Sequence, residues 1–215
     1  MRGAIFDMDG LLLDSEKLYQ RCWHELAQEL GVVLPRDFAS QITGGGREHS
    51  RVVLGKYYPM VDPDELMTEC RARVTVLEEA EMPMKPGAAE LVEALHDAGW
   101  RLAVASSSPR DMVVRNLERT GLAKWIDCVV CGGETERGKP FPDIILLAAE
   151  RLGLRPEECM VLEDSPNGLE AARAAGSLPV MVPDMVPPTE ELYTFCRIYA
   201  SLCDVLDAVD SGQLQ

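Results

Sequence analysis

Residues 3–15 read Gly3-Ala-Ile-Phe6-Asp7-Met8-Asp9-Gly10-Leu-Leu-Leu13-Asp14-Ser15. The first residues form a short apolar run that ends abruptly on acid. Such a run predicts a buried strand whose C-terminal end opens into a polar site. A helix is expected at once afterwards. Ser15 can cap it, Leu18, Cys22, Leu26 and Leu30 recur at helical spacing, and Gly31 stops it.

Residues 35–81 continue as helix after helix. Asp62-Pro63-Asp64-Glu65 is a strong start signal, with Asp as N-cap and Pro in the first turn. The Glu78-Glu79-Ala80-Glu81 run reads as a solvated helix end. From Pro86-Gly87 the texture changes to alternation. Strands are expected over Arg101–Ala105, Ile126–Val130, Met160–Leu162 and Leu178–Val182. Helices are expected over Ala88–Ala98, from Pro109 to Gly121, over Asp143–Leu152, from Pro166 to Gly176 and over Leu202–Val209. Strand–helix alternation requires a parallel sheet with helices on both faces. The helical stretch 14–83 interrupts it after the first strand. The expected organisation is an α/β core of residues 1–13 and 84–215 carrying an inserted all-helical cap, 14–83.

Bulk composition narrows the function. Of 215 residues, 47% are hydrophobic and 27% charged, enough apolar material for a full core. The net charge of −15 disfavours nucleic acid as a partner. No stretch approaches the ~20 apolar residues of a membrane helix, and Asp7 and Asp9 break any leader-like run at the start. The seven cysteines are odd in number and scattered, which suggests reduced thiols and a cytoplasmic location. Cys128-x-x-Cys131 lacks a second ligand pair and reads as packing rather than zinc.

Open parallel sheets bind ligands beyond the carboxyl ends of their strands. Asp7 and Asp9 stand at the end of the first strand, Ser106 and Ser107 after the second, Lys139 after the third, and Glu163-Asp164 after the fourth. Carboxylates converging there repel one another unless a cation joins them. Oxygen-only ligands beside phosphate favour Mg²⁺. Asp7 and Asp9, two apart, are expected on one side of the strand, one to attack phosphorus and one to handle the leaving-group proton. Lys139 and Ser106 would offset charge on phosphoryl oxygens.

Phe6-Asp-Met-Asp-Gly-Leu-Leu-Leu-Asp-Ser15 resembles the first motif of the haloacid dehalogenase-like hydrolase superfamily. Ser106 is similar to its second motif, Lys139-Pro140 to its third and Leu162-Glu-Asp-Ser165 to its fourth. Asn167-Gly168 and Met181-Val-Pro-Asp184 resemble the phosphatase/β-phosphoglucomutase-like branch with a helical cap. The resemblance implies a Rossmann-like core and a magnesium-dependent phosphatase acting on a small phosphorylated metabolite. Asp7 would be nucleophile and metal ligand. Asp9 would be general acid and then base, lending its backbone carbonyl to the metal. Asp164 would complete the protein ligands, with Glu163 direct or through water, and Ser106, Ser107 and Lys139 would hold the phosphate. In the cap, Arg47 and Gly46 of the Ile42–Glu48 loop and Trp23 of the first helix would meet the substrate. A β-phosphoglucomutase-like mutase carries a His where Tyr19 stands and a Lys where Thr43 stands, so the phosphatase leads. The mutase and a non-catalytic metabolite-binding protein are the alternatives, and a monomer is the expected state.

Overall fold

A computed structural model describes residues 2–42 and 47–214, the side chains of Ser40 and Arg47 aside. Thr43 and Gly46, the latter expected to contact substrate, lie outside the described residues. The chain divides into two compact units, residues 1–13 with 84–215, and residues 14–83.

The first unit is built on six parallel strands in the order β3-β2-β1-β4-β5-β6. These are β1 (Gly3–Phe6), β2 (Arg101–Ala105), β3 (Cys128–Val130), β4 (Cys159–Glu163), β5 (Leu178–Met181) and β6 (Arg197–Ile198). The fold is thus α/β and Rossmann-like. β1 lies between β2 and β4, where the strand order reverses, and its end faces the crevice that such sheets use for ligands. β6 was not foreseen; two residues are too few to carry a period-2 signal.

Alternation along β1 sends Ile5 to one face, and a core forms there with Ala103, Ala105, Val161 and the helices Asp143–Leu152 and Pro166–Ala175. Ala4 and Phe6 go to the other face and are fully buried as well. Burial on both faces explains why the strand reads as a continuous apolar run.

β3 is an edge strand, and its outward carbonyls need partners. The Val129 carbonyl accepts from Arg110 Nη2 at 3.0 Å and from Arg151 Nη1 at 2.6 Å. Glu134 joins both guanidiniums and also accepts from the Cys131 N–H. Burial works against its charge, but the two arginines and the amide hold its pKa at about 2, below an ordinary 4.5. A depressed carboxylate stabilises the fold above its unfolded pKa. That contribution is lost as pH falls from about 4.5 through about 2. Glu134→Gln should therefore cost about 1 kcal/mol at neutral pH, discounted for partial exposure. Thermal melts should show a Tm lower by about 2–4 °C, with the difference shrinking in acid.

The second unit contains α1 (Ser15–Glu29), α2 (Phe38–Ile42), α3 (Arg47–Tyr57) and α4 (Pro63–Ala80). Ser15 does not cap α1: the helix starts on it, Asp14 is the N-cap, and Asp14 makes no side-chain cap bond. Asp62 caps α4 as the sequence suggests, accepting from the N–H groups of Asp64 and Glu65. Glu78 corrects the reading of a solvated end. It is only 5% exposed and continues the inward stripe Leu66, Cys70, Val74 at four-residue steps. Trp23 is also buried, edge-on to Phe38 in the core of this unit, and its carbonyl accepts from the Tyr58 hydroxyl. This is a packing position, and it lends no support to Trp23 as a substrate contact.

Candidate active site

Strand register assembles the site. Phe6 is level with Val104 on one side and Leu162 on the other. The ladder runs one residue further, with the Asp7 N–H donating to the Leu162 carbonyl at 3.0 Å. Asp7 is therefore level with Ala105 and Glu163. Lys139, from the loop after β3, reaches this level and joins the three strands. Its Nζ donates to Asp7 Oδ1 at 2.6 Å, to the Ala105 carbonyl at 2.9 Å and to Glu163 Oε1 at 2.5 Å. The lysine side chain is 7% exposed. Burial opposes its charge, but the two carboxylates outweigh burial and keep its pKa above the ordinary lysine value.

One carboxylate oxygen each from Asp7, Glu163 and Asp164 lies within 4.8 Å of the others. Burial, with the neighbouring acids, raises the Asp7 carboxyl to about 7 although Lys139 pulls it down. Burial, Asp7 and Glu163 raise Asp164 to about 9. The protein's own cation thus leaves this group of acids under-compensated. A hard dication fits such an all-oxygen donor set.

Glu163 is pinned more firmly than its partners. Its Oε2 accepts from the Ser165 N–H at 3.2 Å and from the Ser165 hydroxyl at 2.9 Å, while Oε1 is held by Lys139. The Ser165 hydroxyl also accepts from the Gly168 N–H and caps the helix Pro166–Ala175. A Cβ at Gly168 would overlap the Glu163 carboxylate, so only glycine fits there. At Gly10, φ is +87° and a Cβ would meet the Asp164 carboxylate.

Asp9 is near enough that its charge helps raise the Asp7 carboxyl. β1 ends at Phe6, so strand alternation does not extend to residue 9. The Asp9 carboxylate is outside the three-acid group; its Oδ2 accepts from the Ser108 hydroxyl at 2.8 Å. Ser106 is buried at the end of β2, where its N–H extends the ladder to the Val130 carbonyl. Ser107 is exposed. Arg47 is the first residue of α3.

The family model for haloacid dehalogenase-like hydrolases matches residues 1–176. The chain belongs to this family.

Among the relatives of this haloacid dehalogenase-like hydrolase is a probable pseudouridine-5′-phosphatase of Drosophila melanogaster. It is 36% identical over 208 residues, covering 94% of this chain and 90% of the relative. A phosphorylated carbohydrates phosphatase of Thermotoga maritima is 35% identical over 182 residues, 82% of each chain. A solved family hydrolase from Deinococcus radiodurans R1, with bound phosphate and sodium, superposes at a TM-score of 0.83. It is 28% identical over 100% of this chain and 97% of that one.

Sequence reasoning about this hydrolase missed Ser108 as a partner of Asp9 and the Ser165–Gly168 cradle of Glu163. The first had a faint signal. In Ser106-Ser107-Ser108 the outer two hydroxyls lie two residues apart, as the carboxylates do. No described helix is long and apolar enough to cross a membrane.

Proposed function

We propose that this hydrolase is a Mg²⁺-dependent phosphatase. It would remove phosphate from a small metabolite, a sugar phosphate or a nucleotide-derived phosphomonoester, through an aspartyl-phosphate on Asp7. The observation that carries this reading is the buried group of Asp7, Glu163 and Asp164 with Lys139 bound between two of them. The named activities of the relatives, on pseudouridine 5′-phosphate and on phosphorylated carbohydrates, support the substrate class.

Asp7, Asp164 and the Asp9 backbone carbonyl would hold Mg²⁺, with Glu163 direct or through water. Both Glu163 oxygens are already engaged by Lys139 and Ser165, which favours the water-mediated place. The ion would supply positive charge to the phosphoryl oxygens. Asp7 attacks phosphorus as the bond to the leaving oxygen breaks, and Asp9 delivers the proton which that oxygen needs. In the second half Asp9 takes a proton from water as the water oxygen bonds to phosphorus. The Asp7–phosphorus bond then breaks and inorganic phosphate leaves. Lys139 keeps Asp7 aimed and offsets charge on the transferred group, and Ser106 and Ser107 are proposed to bind it. Arg47 is proposed to meet a second polar group of the substrate.

Purified protein should release phosphate from sugar phosphates and nucleoside monophosphates with Mg²⁺ and stop when EDTA is added. Conversion of a hexose 1-phosphate to the 6-phosphate without free phosphate would instead establish the mutase reading, which Tyr19 in place of the mutase His disfavours. The raised carboxyls add a second test. Groups that hold protons up to about 7 and about 9 must lose them to bind a dication. Mg²⁺ binding should release protons and tighten as pH rises across that window. Calorimetry in buffers of differing ionisation enthalpy would measure the release, and zero release would refute the assigned ligands.

A further inference from the structure

The Ser108 hydroxyl has no part in the reaction steps above, and it donates to Asp9 Oδ2 at 2.8 Å. We infer that Ser108 is a positioning residue that fixes the Asp9 carboxyl for proton transfer. The inference rests on the assignment of Asp9 as the residue that gives and takes the proton.

Two backbone contacts hold Ser108 in place. Its N–H donates to the buried Ser106 hydroxyl at 3.1 Å, tying it to the end of β2. Its carbonyl accepts from the Gly132 N–H at 3.0 Å, tying it to the chain just past β3. Gly132 comes so near that a Cβ there would strike the Ser107 carbonyl. The turn that carries Ser108 is thus clamped between two strand ends before its side chain meets Asp9.

Asp9 needs such a clamp more than Asp7 does. Asp7 continues the β1 ladder, and its carboxylate is bound by Lys139. Asp9 stands beyond the strand and directly before Gly10, whose φ is +87°. Its short side chain turns about two torsions, and rotation of either moves the carboxyl oxygens by an ångström or more. A misplacement of that size at a reacting group costs about 10²-fold. The Ser108 hydroxyl has a single proton. Donating it to Oδ2 makes that oxygen the acceptor and leaves the transferable proton of the acid form on Oδ1. The bond thus anchors Oδ2.

The test uses leaving groups of different need. Transfer to Asp7 determines kcat/KM. An alkyl alcohol must be protonated as it leaves, whereas nitrophenolate need not be. Ser108→Ala should lower kcat/KM for an alkyl phosphate such as glycerol 3-phosphate by about 10- to 100-fold and for p-nitrophenyl phosphate by less than about 3-fold. Taking the ratio within one preparation cancels any fraction of misfolded protein. Ser108→Thr, which keeps the hydroxyl, should restore the ratio. Asp9→Asn should show the same selectivity, larger. Equal losses on both esters in Ser108→Ala, with selective loss in Asp9→Asn, would overturn the inference alone. Equal losses in both variants would remove Asp9 from the proton-transfer role and the inference with it.

Discussion

Replacing Asp7 by asparagine is expected to lower phosphate release by at least about 10³-fold while leaving the fold intact. The amide keeps the size of the carboxylate but is a far weaker nucleophile and cannot form the acyl phosphate. Stability should move the other way in the metal-free protein. The Asp7 carboxyl is buried, and its pKa stands near 7. A raised carboxyl costs the fold free energy as pH climbs above its unfolded value, because the native state must then give up a proton it holds more tightly. Asp7→Asn removes that cost. Urea titrations without Mg²⁺ should show the variant gaining on wild type as pH rises from about 4 to about 7, and at least as stable as wild type, by a constant margin, at pH 8. Retained turnover in Asp7→Asn would eliminate an aspartyl-phosphate at this position. Marked destabilisation would show that Lys139 depends on the residue 7 charge to stay in place.

The second large effect is expected at Lys139. Its ammonium is the cation seen to join Asp7, Glu163 and the Ala105 carbonyl, and it is buried. Lys139→Met keeps most of the stem and removes the charge, leaving two buried carboxylates facing each other. Breaking a buried pair by removing one partner costs about 3–5 kcal/mol when the survivor stays ionised. Here the survivors can take up protons, so the cost depends on pH. Without Lys139 the Asp7 carboxyl loses the partner that pulls its raised pKa down. Stability of the variant is then retained in acid and lost as pH rises and the Asp7 carboxyl must ionise beside Glu163. Denaturation midpoints should lie near wild type at pH 5 and fall well below it at pH 8, with Mg²⁺ recovering part of the loss. A pH-independent deficit would point to lost packing instead. Activity should fall by about 10²-fold or more, because the transferred phosphoryl group loses a fixed positive charge.

Lys139 and Glu134 show two uses of the same physics in one sheet. At Lys139 three strand ends converge on a cation, and the surrounding acids remain poised to take a second one. At Glu134 two arginines satisfy one acid and one edge carbonyl, and no charge is left poised. The first arrangement suits chemistry and the second suits stability.

Local signals carried much of the architecture. The helix Asp143–Leu152 begins and ends where the apolar period and Gly153 put it, and the helix after Ser165-Pro166 runs to Gly176 as its cap and stop residues suggest. β1 and β2 are legible because they are buried runs bounded by polar residues. The strand ends also point to the candidate site residues, since a parallel sheet directs every C-terminal end to one edge. Failures came where identity and spacing are silent about neighbours. Trp23 fits either a core or a substrate pocket by composition, and its packing on Phe38 is a contact that no local signal reveals. Glu78 looks solvated among acids until helical phase sets it beneath Val74.

The amino-acid order alone determined a parallel α/β core interrupted by helices, and a set of acids, a lysine and serines at its strand ends. Periodicity and capping are properties of consecutive residues, so they survive in the unfolded string. Tertiary structure decided how those groups divide. β-sheet register brought Asp7 level with Glu163 under Lys139, and a clamped turn set the Ser108 hydroxyl on Asp9. Such pairings join residues 24, 99 and 132 positions apart, and their distances exist only once the strands have aligned.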